Sequence, residues 1–134
     1  METPSEAIII TCAGRTFIAG ADIKEFGKPP LEPYLPDLVS QVETCETPVI
    51  AAIHGTALGG GFELAMGCHY RIAAKNAAVG LPEVNLGLLP GASGTQRLPR
   101  LTGAAKALDV ILSGRPVNAS AALEFSAIDK ISES

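Results

Sequence analysis

The sequence predicts a layered α/β protein in which short buried strands alternate with helices. Apolar runs rich in β-branched residues, such as residues 7–11 and Val49–Ile53, are typical of buried strands. Segments with apolar residues at helical spacing lie between these runs, and glycines or prolines separate the two kinds of segment. Because strands and helices alternate along the chain, we expect helices to pack on the faces of a sheet.

Four strands are predicted from runs of apolar residues. They lie at residues 7–11, 49–53, 70–74 and 78–81. The first is continuously apolar and is predicted to lie in the core. A turn at Lys75 and Asn76 separates the last two, and a loop over residues 82–90 follows them.

Five helices are predicted between and after these strands. They lie at residues 37–45, 62–68, 95–101, 104–112 and 120–125. Pro48 stops the first and Pro99 interrupts the third, because proline cannot continue a helix. Gly114 closes the fourth as a C-terminal cap, and Asn118 or Ser120 caps the fifth at its N-terminus.

The fourth helix carries its large apolar residues on one side. Leu108, Ile111 and Leu112 recur there at spacings of three and four residues. This spacing predicts a single apolar face.

The composition is that of one folded domain with an aliphatic core. The chain has 134 residues, of which 47% are apolar, 4% aromatic and 18% charged, and it contains no Trp. The net charge of −4 offers no basic surface for nucleic acid or for anionic membranes. No apolar run approaches the length of a membrane span.

The cysteines and the N-terminus predict a cytoplasmic protein. Cys12, Cys45 and Cys68 are widely spaced, form no C-x-x-C pair, and have no histidine at a zinc-ligand spacing. We therefore expect buried or incidental thiols in a reducing compartment, and no metal site. Glu2 and Glu6 precede the first apolar run, so the segment does not resemble a signal peptide.

A glycine-rich turn lies between the second predicted strand and a helix. Gly59, Gly60 and Gly61 are consecutive and precede Glu63. Such a turn can offer backbone N–H groups to an anion, helped by the helix dipole, and lets a ligand approach the backbone closely. It can equally be a tight turn forced by a packed neighbour, and the turn alone does not decide between the two. It matches neither the phosphate P-loop nor the dinucleotide-binding pattern.

A second turn of small residues spans residues 19–23. Alone, it is most simply a surface loop between a strand and a helix. Combined with Gly60 it could place two N–H groups around one oxygen, which is what a thioester carbonyl needs as it gains negative charge.

Two glutamates follow these turns. Glu63 lies in an otherwise apolar helix, where it could act chemically or cap its own helix. Glu83 follows Pro82 in a predicted loop and could be an ordinary solvated carboxylate. Placed together beside an oxyanion-binding turn, the two would provide the acid and the base that the addition of water requires.

Three motifs in this order resemble the enoyl-CoA hydratase/isomerase (crotonase) family over nearly the whole chain. They are AGADI at residues 19–23, HGTALGGGFELA at residues 54–65 and PEVNLGLLPGASGTQRL at residues 82–98. Residues 87–115 look most like the hydratase/isomerase domain of multifunctional fatty-acid β-oxidation proteins. The resemblance implies the crotonase-like fold of repeated ββα units, without the family's N-terminal strands and C-terminal trimerisation helices. Residues 1–134 would then be a partial hydratase/isomerase domain.

The resemblance also implies a catalytic set. Ala21 and Gly60 match the two residues whose backbone amides form the family's oxyanion hole. Glu63 and Glu83 match its two catalytic glutamates.

Substrate contacts are implied around the same motifs. Ala19 and Gly20 belong to the turn that meets the thioester, and Gly91 matches a glycine that shapes the pocket at the reacting carbons. Asp22 and Ile23 match the loop that passes the adenine of coenzyme A.

The expected function is hydration of an enoyl-CoA thioester to 3-hydroxyacyl-CoA in β-oxidation. Alternatives are a Δ3-Δ2-enoyl-CoA isomerase, which commonly keeps only the glutamate matched by Glu83, and a non-catalytic module with the same fold. The substrate would be an acyl-CoA, and no metal or redox cofactor is expected. The family further implies a homotrimer, a hexamer or a place in a larger β-oxidation complex.

Overall fold

Eight short strands form two four-stranded sheets in the computed structural model, which describes residues 6–20, 27–29 and 32–133. The strands are β1 (Ile8–Ile10), β2 (Ile18–Ala19), β3 (Val49–Ile53), β4 (Thr56–Leu58), β5 (Tyr70–Ala73), β6 (Ala78–Gly80), β7 (Val117–Asn118) and β8 (Lys130–Ile131). The helices are α1 (Leu35–Glu43), α2 (Gly60–Gly67), α3 (Gly94–Thr102), α4 (Ala104–Ser113) and α5 (Ala119–Glu124), and a 3₁₀-helix spans Pro82–Leu86. The predicted α/β class is confirmed.

Strands β1 to β6 alternate between the two sheets, β7 joins the same sheet as β6, and β8 returns to the first sheet. The first sheet has the order β1-β3-β5-β8 and is parallel throughout. The second has the order β2-β4-β6-β7 and is parallel except where β7 runs against β6, with Ala78 opposite Asn118. Strand pairs followed by a helix, as in β3-β4-α2, therefore recur along the chain, which is the predicted ββα repeat.

The core lies around β3 and α2 and is largely aliphatic, as the composition predicts. Side chains of β3 alternate, with Val49, Ala51 and Ile53 buried. All residues of α2 after Gly60 are buried. A helix that is apolar on every side is expected to be buried completely in this way.

A close contact between α2 and β2 explains one glycine of the turn. A Cβ on Gly61 would collide with the backbone oxygen of Ile18 and lie 2.6 Å from the Ile18 Cβ. Only a residue without a side chain lets the first turn of α2 pack on β2 at this separation. The packing explanation for the glycine run is therefore correct at Gly61.

The prediction that the first strand lies in the core is wrong. Ile8 is 42% exposed and Ile9 is 64% exposed. Among the described strands β1 pairs only with β3, at the edge of the first sheet. A buried strand needs cover on both faces, and an apolar run does not reveal whether that cover exists.

Several helix boundaries differ from the predicted ones. Helix α1 begins two residues earlier, because Pro36 is tolerated in the first turn. Helix α2 begins at Gly60, so two turn glycines belong to the helix. Helix α3 continues through Pro99, which forfeits one backbone hydrogen bond, while Gly103 N still donates to Pro99 O at 2.8 Å.

Two later segments also differ from the predictions. The predicted loop after β6 begins as the 3₁₀-helix. On α4 the buried residues are Ala107 and Val110, whereas Leu108 and Leu112 are 55% and 67% exposed, so the predicted apolar face points largely to solvent.

The predicted helix caps agree with the structure more closely than the predicted helix boundaries do. Gly114 ends α4 in the left-handed conformation, as predicted. Asn118 is the N-cap of α5, and its side chain accepts a hydrogen bond from Ala121 N at 2.9 Å.

The three cysteines are free thiols, and of these Cys68 is buried. Among the described helices none combines the length and the hydropathy that crossing a membrane requires.

Candidate active site

A cavity of about 390 Å³ lies where the ends of several elements meet. Its wall includes the end of β2, the start of α2, the 3₁₀-helix and the loop that follows it. The lining residues are Ala19, Gly20, Leu35, Gly59, Gly60, Glu63, Pro82, Glu83, Leu86, Leu88, Leu89 and Gly91.

The first turn of α2 forms one wall of this cavity. Gly59 precedes the helix with φ = 58°, a left-handed conformation that favours glycine. Its N–H donates to Gly80 O at 3.0 Å, and its carbonyl accepts from Glu63 N at 2.9 Å. Gly60 follows, and first-turn amides have no acceptor within their own helix. The turn is therefore held from both sides with the Gly60 backbone at the cavity.

Added side chains would occupy the cavity at this turn. A Cβ on Gly59 would lie 3.3 Å from Glu83 Oε2 and 3.6 Å from the Cα of Gly20. A Cβ on Gly60 would lie 2.8 Å from Leu35 Cδ2. The glycine run thus combines close packing against backbone at Gly61 with close approach to side chains of the cavity wall at the two preceding positions.

Glu63 is the most deeply buried carboxylate of the cavity and is only 2% exposed. Its Oε2 accepts hydrogen bonds from Ala92 N at 2.7 Å and from Gly94 N at 2.8 Å. Both donors belong to another segment, so these bonds orient the carboxylate rather than cap α2. Ser93, between the donors, has φ = 67°, and this left-handed residue lets two alternate amides converge on one oxygen.

Glu83 approaches the same cavity from the first turn of the 3₁₀-helix. Its Oε1 is buried, and no hydrogen-bond donor among the described residues reaches it. An acceptor without a donor in such a place is open to a group supplied by a ligand.

Both carboxyls are shifted toward their protonated forms. Burial raises the pKa of Glu63, and the negative charge of Glu83 adds to this rise. The Gly94 and Ala92 amides and the positive charge of Arg97 oppose it. Burial also raises the pKa of Glu83, against a hydrogen bond from its own backbone. Two neighbouring carboxyls with raised pKa values can hold and exchange a proton nearer neutral pH than ordinary carboxyls.

The structure brings most of the predicted site residues to this one cavity. Those that line it are Ala19, Gly20, Gly60, Glu63, Glu83 and Gly91. The remaining three, Ala21, Asp22 and Ile23, lie outside the described residues.

The sequence predictions missed an apolar wall of leucines. Leu35, Leu86, Leu88 and Leu89 all line the cavity. The available signal was three leucines within a loop that also holds two glycines and a proline, since large apolar side chains in loops often contact ligands.

The sequence predictions also missed Arg71, which binds the end of α2 opposite to the end that reaches the cavity. It is 4% exposed, and its Nη1 donates to Ala65 O at 3.1 Å, Met66 O at 3.3 Å and Cys68 O at 2.7 Å, at the C-terminal end of α2. A charged residue inside an apolar strand was the only sequence signal.

No cluster of three or more His, Cys, Asp or Glu side chains suited to a metal ion occurs in residues 6–20, 27–29 and 32–133.

Comparison with known proteins places this geometry in a family. The family profile described as enoyl-CoA hydratase/isomerase matches residues 2–133. The peroxisomal bifunctional enzyme of Homo sapiens is 55% identical over 127 residues, which cover 94% of this chain and 18% of that protein. The probable enoyl-CoA hydratase of Bacillus subtilis (strain 168) is 53% identical over 126 residues, which cover 89% of this chain and 49% of that protein.

A solved structure shares the fold. The enoyl-CoA hydratase from Bacillus anthracis superposes with a TM-score of 0.90 at 42% identity, over 98% of this chain and 54% of that chain. The present chain thus spans about half the length of these hydratases and under a fifth of the bifunctional enzyme. From the profile match, these identities and the shared fold, we conclude that the chain belongs to the enoyl-CoA hydratase/isomerase (crotonase) family.

Proposed function

We propose that this chain adds water across the 2,3 double bond of an enoyl-CoA thioester, giving 3-hydroxyacyl-CoA in fatty-acid β-oxidation. One observation carries the proposal: Glu63 and Glu83 reach the same cavity from different elements, beside the first-turn backbone of Gly60. The names of the relatives, among them a fatty acid β-oxidation multifunctional protein of Arabidopsis thaliana, support it.

In the proposed reaction the thioester oxygen accepts a hydrogen bond from Gly60 N–H, with the Ala21 amide as the second donor. These amides stabilise the negative charge that the oxygen gains as the double bond is attacked. The oxygen of water bonds to Cβ, and Glu63 takes the proton that this water loses. The electron pair of the double bond moves to Cα, which receives a proton from Glu83. One water is consumed, and the two carboxyls exchange protonation states, which they restore by proton transfer through solvent.

The surroundings of each carboxyl suit the role proposed for it in the reaction. Two amides hold Glu63 in one orientation, as a base that must aim a water molecule requires. Glu83 keeps Oε1 open toward a ligand. The leucine wall and Gly91 suit an acyl chain, so binding energy from remote parts of the substrate can position the reacting carbons.

An isomerase is the second candidate, because the open Oε1 of Glu83 could by itself move a proton between two carbons of a 3-enoyl-CoA. Hydration is favoured because Glu63 is also present and oriented. A non-catalytic module with this fold is the third candidate.

The test compares crotonyl-CoA with a 3-enoyl-CoA as substrates of the unmodified chain, and identifies the products by mass. We expect hydrated product from crotonyl-CoA, followed as loss of the ultraviolet absorbance of the conjugated thioester. Isomer without hydrate would establish the second candidate, and no turnover of either substrate would support the third.

Cofactor, assembly and location remain proposals. The conjugated thioester can be activated by amides and proton transfer alone, so we propose that no metal or redox cofactor takes part. The family resemblance suggests a homotrimer, a hexamer or a larger β-oxidation complex. The cytoplasmic location stays a prediction, and the relatives from Homo sapiens and Arabidopsis thaliana are named as peroxisomal proteins.

A further inference from the structure

We propose that Arg97 is a positioning residue that holds residues 92–94 in the geometry in which their amides orient the Glu63 carboxylate. The inference rests on the proposed role of Glu63 and adds a residue to which no role has been assigned. Arg97 does not line the cavity, so it would act only through the loop.

Arg97 connects three parts of the chain. Its Nη1 donates to Ala92 O at 3.2 Å. Its Nη2 and Nε donate to Glu43 Oε2 at 2.7 Å and Glu43 Oε1 at 3.3 Å, a two-pronged pair between α3 and the end of α1. The Arg97 side chain is 12% exposed and the Glu43 side chain 52%, so the bond to Ala92 O is partly shielded from water while the ion pair with Glu43 faces solvent.

The carbonyl that Arg97 contacts belongs to a residue that orients Glu63. Ala92 accepts from Arg97 through its oxygen and donates to Glu63 Oε2 through its nitrogen. One peptide unit farther on, Ser93 has φ = 67°, a conformation that costs energy for a residue other than glycine. A loop in such a conformation needs external contacts to persist, and Arg97 supplies one at its first residue.

The anchor on α1 is itself fixed. His69 Nδ1 accepts a hydrogen bond from Val49 N at 2.8 Å, so its proton lies on Nε2, which donates to Glu43 O at 3.0 Å. The backbone of Glu43 is thereby tied to the start of β3. Arg97 thus connects residues 92–94 to the Glu43 side chain, which is exposed but whose backbone is held beside β3.

The chemistry of arginine is specifically required here. The planar guanidinium contacts two carboxylate oxygens and a carbonyl at once, whereas lysine presents a single ammonium that cannot span all three. The charge of Arg97 also lowers the pKa of Glu63, while the charge of Glu83 raises it. Loss of Arg97 should therefore both loosen the loop and shift the Glu63 titration upward.

The experiment compares Arg97→Ala, Arg97→Lys and Glu43→Gln with the unmodified chain. Arg100→Ala is the matched control, because Arg100 lies on the same helix and also acts on Glu43 through its charge, but its Nη1 donates to Gln96 O and not to the loop. The readouts are kcat and KM for crotonyl-CoA, the amide proton shifts of Ala92 and Gly94, and the carbon-13 titration of the Glu63 carboxyl.

For Arg97→Ala we expect kcat to fall by about 10- to 100-fold with little change in KM, since misplacing a catalytic group affects turnover more than binding. The two amide protons should move upfield as their hydrogen bonds weaken, and the Glu63 pKa should rise. Added guanidinium should restore part of kcat, Arg97→Lys should restore little, and Glu43→Gln should act in the same direction but more weakly.

Unchanged amide shifts together with an unchanged kcat in Arg97→Ala would overturn the inference. If the unmodified chain does not hydrate crotonyl-CoA, the proposed function fails, while the amide shifts and the Glu63 titration still decide whether Arg97 positions the loop. If Arg97→Ala does not fold, Glu43→Gln decides by the same readouts, because it weakens only the pair that anchors Arg97 and leaves Arg97 in place.

Discussion

Glu63 and Glu83 differ in how many hydrogen-bond donors the protein offers to their carboxylate oxygens. Two amides hold one oxygen of Glu63, while a buried oxygen of Glu83 has no donor among the described residues. A buried acceptor without a partner costs stability, and natural proteins retain such groups mainly where function requires them. The unpartnered oxygen supports the proposal that Glu83 meets the ligand.

Glu83→Gln should make the protein more stable at neutral pH. The pKa of Glu83 in the folded chain is raised above its ordinary value of 4.5, so ionisation costs stability as the pH rises from the unfolded pKa through the folded one. Glutamine removes this cost. We expect the Tm at pH 8 to rise by about 2–4 °C, and the difference to vanish below about pH 4.

Thermal unfolding across this pH range checks the expectation. Glu124→Gln is the control, because Glu124 is exposed at the end of α5 and should leave Tm unchanged at every pH. The Tm difference between Glu83→Gln and the unmodified chain should be larger at pH 8 than at pH 4. A smaller difference at pH 8 would contradict the raised pKa of Glu83.

The two glutamates could be predicted from the sequence, but the contacts of Arg71 and Arg97 could not. Glu63 stands out in an apolar helix, and both glutamates lie in recognisable motifs. Arg71 and Arg97 contact backbone carbonyls and carboxylates, and backbone groups carry no sequence signal. Their partners include residues 54 and 58 positions away, such as Glu43 for Arg97 and Asp129 for Arg71.

Helix α2 positions the site. Its N-terminal end lines the cavity, and its C-terminal end is bound by Arg71. Its first turn lies on the cavity, and Arg71 contacts three carbonyls at its last turn. A positive charge at this end satisfies the orphan carbonyls and complements the helix dipole. Asp129 Oδ2 holds Arg71 Nη2 at 3.0 Å and links the helix to the segment before β8.

Arg71→Met should destabilise the fold strongly while leaving its apolar volume filled. Three carbonyls lose a charged donor and Asp129 loses its partner, so the free energy of unfolding should fall by about 3 kcal/mol. Asp129→Asn is the matched variant: it keeps an acceptor but leaves the buried Arg71 without its counter-charge, so it should cost about 2 kcal/mol, less than Arg71→Met. Denaturant unfolding measures both, and a loss under about 1 kcal/mol for Arg71→Met would show that Arg71 does not clamp α2.

Element types were more predictable than element ends or exposure. The helical spacing of α1 and α4 and the continuous apolar run of β3 are strong local signals. Strands β2, β4, β7 and β8 have only two or three residues, too few to display a period. The exposure of β1 and of Leu108 depends on what covers them, which is a property of the tertiary structure.

At the scale of the whole molecule, large apolar side chains remain on the surface. Ile9, Leu89 and Leu112 are 64%, 77% and 67% exposed, and Leu108 and Leu112 adjoin each other on α4. Contiguous apolar surface favours association with other surfaces. The family's expected oligomers would cover such a surface.

We therefore expect the chain to self-associate at micromolar concentration, which light scattering would detect. Replacing Leu108 and Leu112 by Glu should shift the distribution toward monomer without lowering Tm by more than about 2 °C, because both positions are exposed. A monodisperse monomer before substitution would show that this surface is not an interface.

In the proposed function Glu63, Glu83 and the Gly60 turn act together on one acyl-CoA thioester. The most direct test is the rate of crotonyl-CoA hydration by Glu63→Gln and Glu83→Gln beside the unmodified chain, with Tm and thioester affinity measured on each protein. We predict that each substitution lowers the rate by about 10²-fold or more while the fold and the affinity persist. A rate near that of the unmodified chain in either variant would contradict the assignment of that glutamate to the reaction.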